Sequence, residues 1–312
     1  MSNSTDVVKV VTRTAIGGQV LSAIFFGRQH DVLEHSTIQE LVNDSVAVPY
    51  QPRIVTAGKQ EAEPYDPELD VDHIELGYVC IGIKGHRNIT DGNRIDRSVP
   101  IKHKATDTGL YQIVPFAIKP LDNDLTTEQR KRFRMRKVIE IDSVLYAAYY
   151  ARKLNTNNTP PSLILNSIVD GVKTSNPWAP SINNLRPEQP AIGYLNDASY
   201  ITAVSNIELV FEEEDIEWYM EACQLLFGDR YYSITELAYC TGVDKKIVRQ
   251  YPASGVQTPS TSIANRNMME VEALQATYFI NTDINPSVLN KRFTYTVDLG
   301  INEPLYTYNG TD

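Results

Sequence analysis

Residues 137–154, KVIEIDSVLYAAYYARKL, constrain the fold more than any other stretch of the chain. Val138, Ile139, Ile141, Val144, Tyr146, Tyr149 and Tyr150 are strand formers gathered on either side of the polar pair Asp142-Ser143. The alanines permit a helix over the same span, but the density of β-branched and aromatic residues favours a hairpin. HIELGYVCIGIKG (73–85), YITAVSNIELVF (200–211), ALQATYFINTDI and RFTYTVDLG also read as strands, as does LYQIVPFAIKP (110–120), where Pro115 marks an edge or a bend. The expected class is α+β: mainly antiparallel β-sheets with a few short helices and long irregular loops.

The clearest helix is 213–227. Ile216, Tyr219, Met220, Cys223, Leu226 and Phe227 recur at helical spacing as a buried stripe, behind acidic residues in the first turn. Thr126 or Thr127 caps a shorter helix. VVKVVTRTAIGGQVLSAIFFG near the start suits a strand followed by a helix, or a broken helix, and Leu33, Ile38, Leu41 and Val42 suit a short amphipathic helix ending before Pro49. Residues 86–109 and the Pro- and Asn-rich stretch 155–198 are expected to be loop, and INEPLYTYNGTD an extended tail. The reading divides the chain into an N-terminal region, 1–72, ending in an acidic arm, and a main domain, 73–312.

ITELAYCTGVDKKIVRQY (234–251) has the spacing of a helix-turn-helix. Ser233 and Glu236 stand as a capping box, Gly242 as a left-handed helix end, and Lys245, Lys246, Arg249 and Gln250 lie on the second helix. The charge balance argues against a nucleic-acid partner. The net charge is -10, QEAEPYDPELDVDHIE (60–75) holds no Lys or Arg, and EEEDIE (212–217) lies just ahead of the motif.

Other chemistry finds little footing. Cys80, Cys223 and Cys240 have neither CxxC spacing nor an even count, which argues against a disulfide framework or a zinc site. His86 and His103 with Asp91, Asp96 and Asp107 lack any metal-ligand spacing and read as solvated loop residues. His30 and His35 read as surface or packing residues. AIGGQ and GIKGHRNITDG match no phosphate or dinucleotide loop, and there is no GxSxG. The expectation is therefore no catalytic residues, no cofactor, no metal and no small-molecule substrate. No apolar run reaches membrane-span length, and MSNSTDVVKVV is not a signal peptide, so no membrane role is expected.

The basic run RKRFRMRK (130–137) is opposite in sign to both acidic runs, and 18 Tyr against 8 Phe fits surfaces half-buried against another protein. It reads either as a solvated face or as one side of an interface between copies, with Arg130, Arg132 and Arg134 meeting Glu61, Asp70 or Glu213 of a neighbour.

DTGLYQIVPFAIKPLDNDLTTEQRKRFRMRKVIEIDSVLYAAYYARKLN (107–155) resembles virion structural proteins of tailed bacteriophages, in the aspartate-glycine segment, the PF step, the NDLT cap, a basic helix and a hairpin ending in YYARKL. WAPSINNLRPEQP, YSITELAYCTGVDK and NEPLY extend the likeness in patches to about residue 306. The resemblance implies a structural, non-enzymatic component of the virion, assembled in the host cytoplasm as repeated copies in a ring or collar at the head-to-tail junction or on the tail. Its partners would be copies of itself and other virion proteins. In that setting ITELAYCTGVD is a packed helix and turn. A helix-turn-helix DNA-binding protein is the alternative, and a metal-dependent hydrolase comes third.

Overall fold

The computed structural model describes residues 11–26, 29–32, 53–56, 74–91, 94–154, 162–169, 172–179, 200–248, 267–285 and 293–304. The N-terminal part holds β1 (Val11–Arg13), α1 (Ala15–Phe26), β2 (Gln29–Val32) and β3 (Arg53–Thr56). Then come β4 (Ile74–Gly82), β5 (His86–Asp91), β6 (Arg94–Pro100), β7 (Ile113–Val114) and β8 (Ala117–Pro120). A 3-10 turn (Leu121–Asn123) and α2 (Thr127–Arg130) lead into β9 (Phe133–Ile141) and β10 (Val144–Lys153). After them lie β11 (Ser162–Val169), β12 (Val172–Trp178), β13 (Tyr200–Phe211), α3 (Glu213–Phe227), β14 (Ile234–Val248), β15 (Asn267–Ile284) and β16 (Phe293–Pro304). The fold is α+β and mainly antiparallel β.

The chain forms two compact units: 1–154 with 211–293, and 155–210 with 294–312. That division differs from a boundary at residue 72. Strand β1 pairs with β15, Val11 opposite Ile280, so the N-terminal stretch belongs to the larger sheet. The acidic arm and the 33–42 helix lie outside the described residues.

The first unit is built on an eight-stranded sheet in the order β1-β15-β14-β4-β10-β8, with β7 on β4 and β9 on β10. Its central strands are covered on both faces, so they carry unbroken buried runs: Tyr78, Val79, Cys80 and Ile81 on β4, and Leu237, Ala238, Tyr239 and Cys240 on β14. The β9–β10 hairpin turns at Asp142 and Ser143, with φ 50° and 64°. Two positive φ values are what a two-residue hairpin turn requires, and short polar side chains tolerate them.

Strand β14 overturns the helix-turn-helix expectation. Residues 234–248 form one strand between β4 and β15, and 249–251 lie outside the described residues. Gly242 ends no helix. A Cβ there would stand 2.7 Å from Val271 Cγ2 and 3.0 Å from Tyr78 Cε2, so the glycine makes room for core side chains beside a register shift. The packed-helix reading of ITELAYCTGVD falls for the same reason. Two supposed loops also contain ladders: β5 pairs with β6, and β11 with β12.

Helix α3 forms where expected. Glu213, Glu214 and Asp215 occupy its first turn, and Gly228, at φ 77°, ends it by donating its N–H to Gln224 O at 3.0 Å. Its buried face holds Asp215, Ile216, Trp218, Tyr219, Ala222 and Cys223. Met220, expected in the core, is half-buried, because the face is centred one position nearer the N-terminus. Ala222 packs on Ile118 of β8 and Ala148 of β10. Among the described residues no helix is long and apolar enough to cross a membrane.

The second unit is a four-stranded sheet in the order β12-β11-β13-β16. Leu163, Ile164 and Leu165 are successive residues of β11 and all three are half-buried, so neither face is closed by packing at this point.

Candidate functional site

The arginines of the basic run act inside the chain. Thr126 begins α2 with a capping box: Oγ1 accepts from Gln129 N, and Thr126 N donates to Gln129 Oε1 at 2.9 Å. The helix lasts one turn, so the run crosses from helix to strand instead of forming a basic helix. Arg130, Arg134 and Arg136 are buried, which corrects both the solvated-face reading and the use of Arg130 and Arg134 at an interface. Arg134 Nη1 donates to Lys131 O at 2.9 Å and to Phe133 O at 2.8 Å. Arg136 donates from Nε and Nη2 to Asp124 Oδ2 at 3.1 and 2.9 Å, while Tyr149 donates its hydroxyl to Asp124 Oδ1 at 2.6 Å. Burial, and then the Asp124 charge, push the Tyr149 phenol far above its ordinary pKa.

The acidic run at 212–217 finds its partner within the same unit. Asp215 is buried at the third position of α3, where its Oδ2 accepts from Glu212 N at 2.9 Å and from Arg152 Nη1 at 2.7 Å. Arg132 Nη1 stands 3.1 Å from Asp215 Oδ1, and Arg132 Nη2 3.4 Å from Glu214 Oε2. The Arg132 guanidinium also lies over the rings of Phe133 and Trp218, 5.6 and 5.7 Å from their centroids. Burial lowers the pKa of Arg152, and Asp215 works against that shift. This cluster fastens α3 to the sheet. Glu213 remains exposed, and Glu61 and Asp70 lie outside the described residues.

His103 is not a solvated loop residue. Its ring is stacked between Tyr111 and Phe279, with centroids 4.7 and 4.1 Å away. Nε2 is 3.1 Å from Glu236 Oε2 and Nδ1 is 3.3 Å from Asp107 Oδ2. Glu236, fully buried on β14, accepts further from Tyr111 N and Gln112 N, each at 3.1 Å. Asn281 on β15 donates to Ile101 O at 2.9 Å. These bonds tie 101–112 to the centre of the sheet. The imidazole sits between the two carboxylates with one ring nitrogen on each, the arrangement of a hydrogen-bonded bridge rather than of ligands converging on a cation. Among the described residues no group of three or more His, Cys, Asp or Glu could hold a metal ion.

One surface available for contact lies in the second unit. Residues 172–177 of β12 are all exposed, Val172 at 65%. Among the described residues β12 pairs with β11 alone. An antiparallel sheet with a free edge presents unpaired N–H and C=O groups, a template for another strand. Sequence reasoning missed this edge because Pro177 and the asparagines of TNNTPPS and NPWAPSINN read as loop. The signals available were SLILNSIV before it and the edge preference of proline.

Residues 61–312 match the family of unknown function DUF7208, and the chain belongs to that family. No curated protein and no solved structure matches it.

Proposed function

We propose that this chain is a structural component of a bacteriophage particle, present as repeated copies in a ring or collar at the head-to-tail junction or on the tail. The observation that carries the assembly part is the second unit's sheet, half-buried at Leu163, Ile164 and Leu165 of β11 and, among the described residues, paired on one side alone along the exposed β12. An isolated sheet gains little stability until its apolar side chains meet another layer or another strand. The first unit supports the reading in a different way: its buried charges serve internal ties, as suits a rigid building block. The virion setting rests on the resemblance over 107–155. In this reading the protein carries out no reaction and binds no cofactor; its partners are its own copies and other virion proteins. DNA reading by 234–251 is left without its two helices.

The test is light scattering on the purified full chain over a range of concentrations, together with antibody labelling of negatively stained particles. A discrete oligomer of fixed stoichiometry and label confined to one level of the particle are expected. A monomer at every concentration together with unlabelled particles would rule the proposal out.

A further inference from the structure

We infer that Asp107, His103 and Glu236 form a proton-operated latch on the segment 104–109: while the bridge holds its second proton the segment is fastened, and when that proton passes to water as pH rises the segment opens. One ring nitrogen of His103 faces each carboxylate, Nε2 at 3.1 Å from Glu236 Oε2 and Nδ1 at 3.3 Å from Asp107 Oδ2. Each contact is a hydrogen bond only with a proton between its two atoms, because an ionised carboxylate accepts and does not donate. A neutral imidazole carries one N–H, so the intact bridge holds a second proton, on the other ring nitrogen or on a carboxyl. Without it, one of the two contacts sets lone pair against lone pair and repels.

The surroundings decide which contact gives way. Glu236 is fully buried on β14 and also accepts from Tyr111 N and Gln112 N. It has no room to move: a Cβ on Gly82 would stand 2.5 Å from Glu236 Oε1, and one on Gly85 2.9 Å from Glu236 Cβ. Stacking between Tyr111 and Phe279 keeps the imidazole from turning away. The Asp107 side chain is 29% exposed and lies outside any helix or strand. A donor lost at the buried carboxylate is not replaced, whereas water replaces one lost at Asp107. The remaining proton therefore stays on Nε2, and Asp107 is the group released.

The segment in turn holds the start of α1. Ala15, the first residue of that helix, donates its N–H to Ala105 O at 2.7 Å, and Thr12 Oγ1 donates to His103 O at 3.3 Å. Opening of 104–109 withdraws the Ala105 carbonyl, so the proton on the bridge sets how firmly the helix is tied at its first turn. Among the described residues the titratable groups against the ring are Asp107, Glu236 and Tyr111. Burial, then the charges of Asp107 and Glu236, push the Tyr111 phenol upward, so it keeps its proton while the bridge titrates. β15 meets the ring through Phe279, which does not titrate, and its Asp283 is exposed. Arg13 of β1 pairs with Tyr278 on the opposite face of the ladder from Thr12 and Phe279. Lys102 and Lys104 flank His103 with exposed side chains.

The experiment is hydrogen exchange of the full chain read by mass spectrometry from about pH 5 to about pH 9, corrected for the intrinsic pH dependence of exchange. Peptides covering 104–112 and the start of α1 should lose protection roughly tenfold as pH rises, while the rest of the sheet keeps its own. Asp107→Asn brings an N–H of its own to Nδ1 and retains an acceptor for Lys104 N, which Asp107 Oδ2 accepts at 2.9 Å. Its bridge closes without the second proton, so its protection should not change with pH. Asp107→Ala has nothing to close with and should exchange at the open level throughout; if that variant fails to fold, the asparagine variant still decides. Wild-type protection that is flat with pH, a loss spread evenly over the sheet, or an Asp107→Asn curve that follows the wild type would each overturn the latch.

Discussion

Arg152 donates from Nη1 to the Asp215 carboxylate at 2.7 Å, and both side chains are buried, one on β10 and the other in the first turn of α3. The pair joins a helix to a strand more than sixty residues away, and Arg132 adds a second guanidinium on the other carboxylate oxygen.

Removing one partner of such a pair leaves the other buried and uncompensated. Asp215→Ala should cost about 3–5 kcal/mol in urea unfolding. Asp215→Asn keeps an acceptor for the Glu212 amide and should recover about 1 kcal/mol of that loss. Equal stability of the alanine variant and the wild type would mean that Arg152 is solvated.

Reversing Arg132 and Arg134 to Glu should abolish folding rather than loosen an assembly. Arg134 is 4% exposed and bonded to two carbonyls, and a glutamate at 132 would face Asp215 and Glu214. Loss of the circular dichroism signal and of soluble yield is the expected result. A folded, monomeric double variant would return these arginines to an interface.

Gly17 and Gly18 are neighbours on α1, and alanine should act on them in opposite directions. A Cβ on Gly17 would stand 2.5 Å from Thr277 O and 2.8 Å from Thr277 Cα, so Gly17→Ala must lift the helix off β15 and cost about 1–3 kcal/mol. Gly18 has nothing within 4 Å, and Gly18→Ala should stabilise by up to about 1 kcal/mol through helix propensity. Thermal melts of the two variants decide it.

Alkaline pH should weaken the fold. Burial pushes the Cys223 thiol from an ordinary value of 9.0 up to about 11, and it raises Tyr149 and Tyr219 further still. The folded state keeps protons that the unfolded state releases, so the stabilisation is complete below about pH 9 and is lost as pH rises through 11. Cys223 alone accounts for about 2–3 kcal/mol at about 1.4 kcal/mol per pH unit. Urea midpoints measured between pH 8 and 11 should fall, and Cys223→Ala should flatten the first part of that fall.

The hairpin at Asp142-Ser143 was legible because its cause is local: a polar pair with strand formers on both sides. Strand β14 was not. Both of its faces are covered, so it lacks the alternation that announces a half-buried strand, and Glu236 and Gly242 mimic a helix cap and a helix end. What settles their roles lies far along the chain: His103 for Glu236, Val271 and Leu274 for Gly242. The arginine run showed its sign but not its partners, since Asp124, Asp215 and Glu214 meet it only after folding.

Strand order also sets a timetable for synthesis. Strand β4 pairs with β14, Cys80 opposite Ala238 and Ile81 opposite Leu237, so its partner leaves the ribosome about 150 residues later. At about 5–20 residues per second, that interval is about 8–30 s. Until then one side of β4 has no mate and its run of Tyr78, Val79, Cys80 and Ile81 stays uncovered on that side, apolar surface of the kind that makes an incomplete chain prone to aggregate.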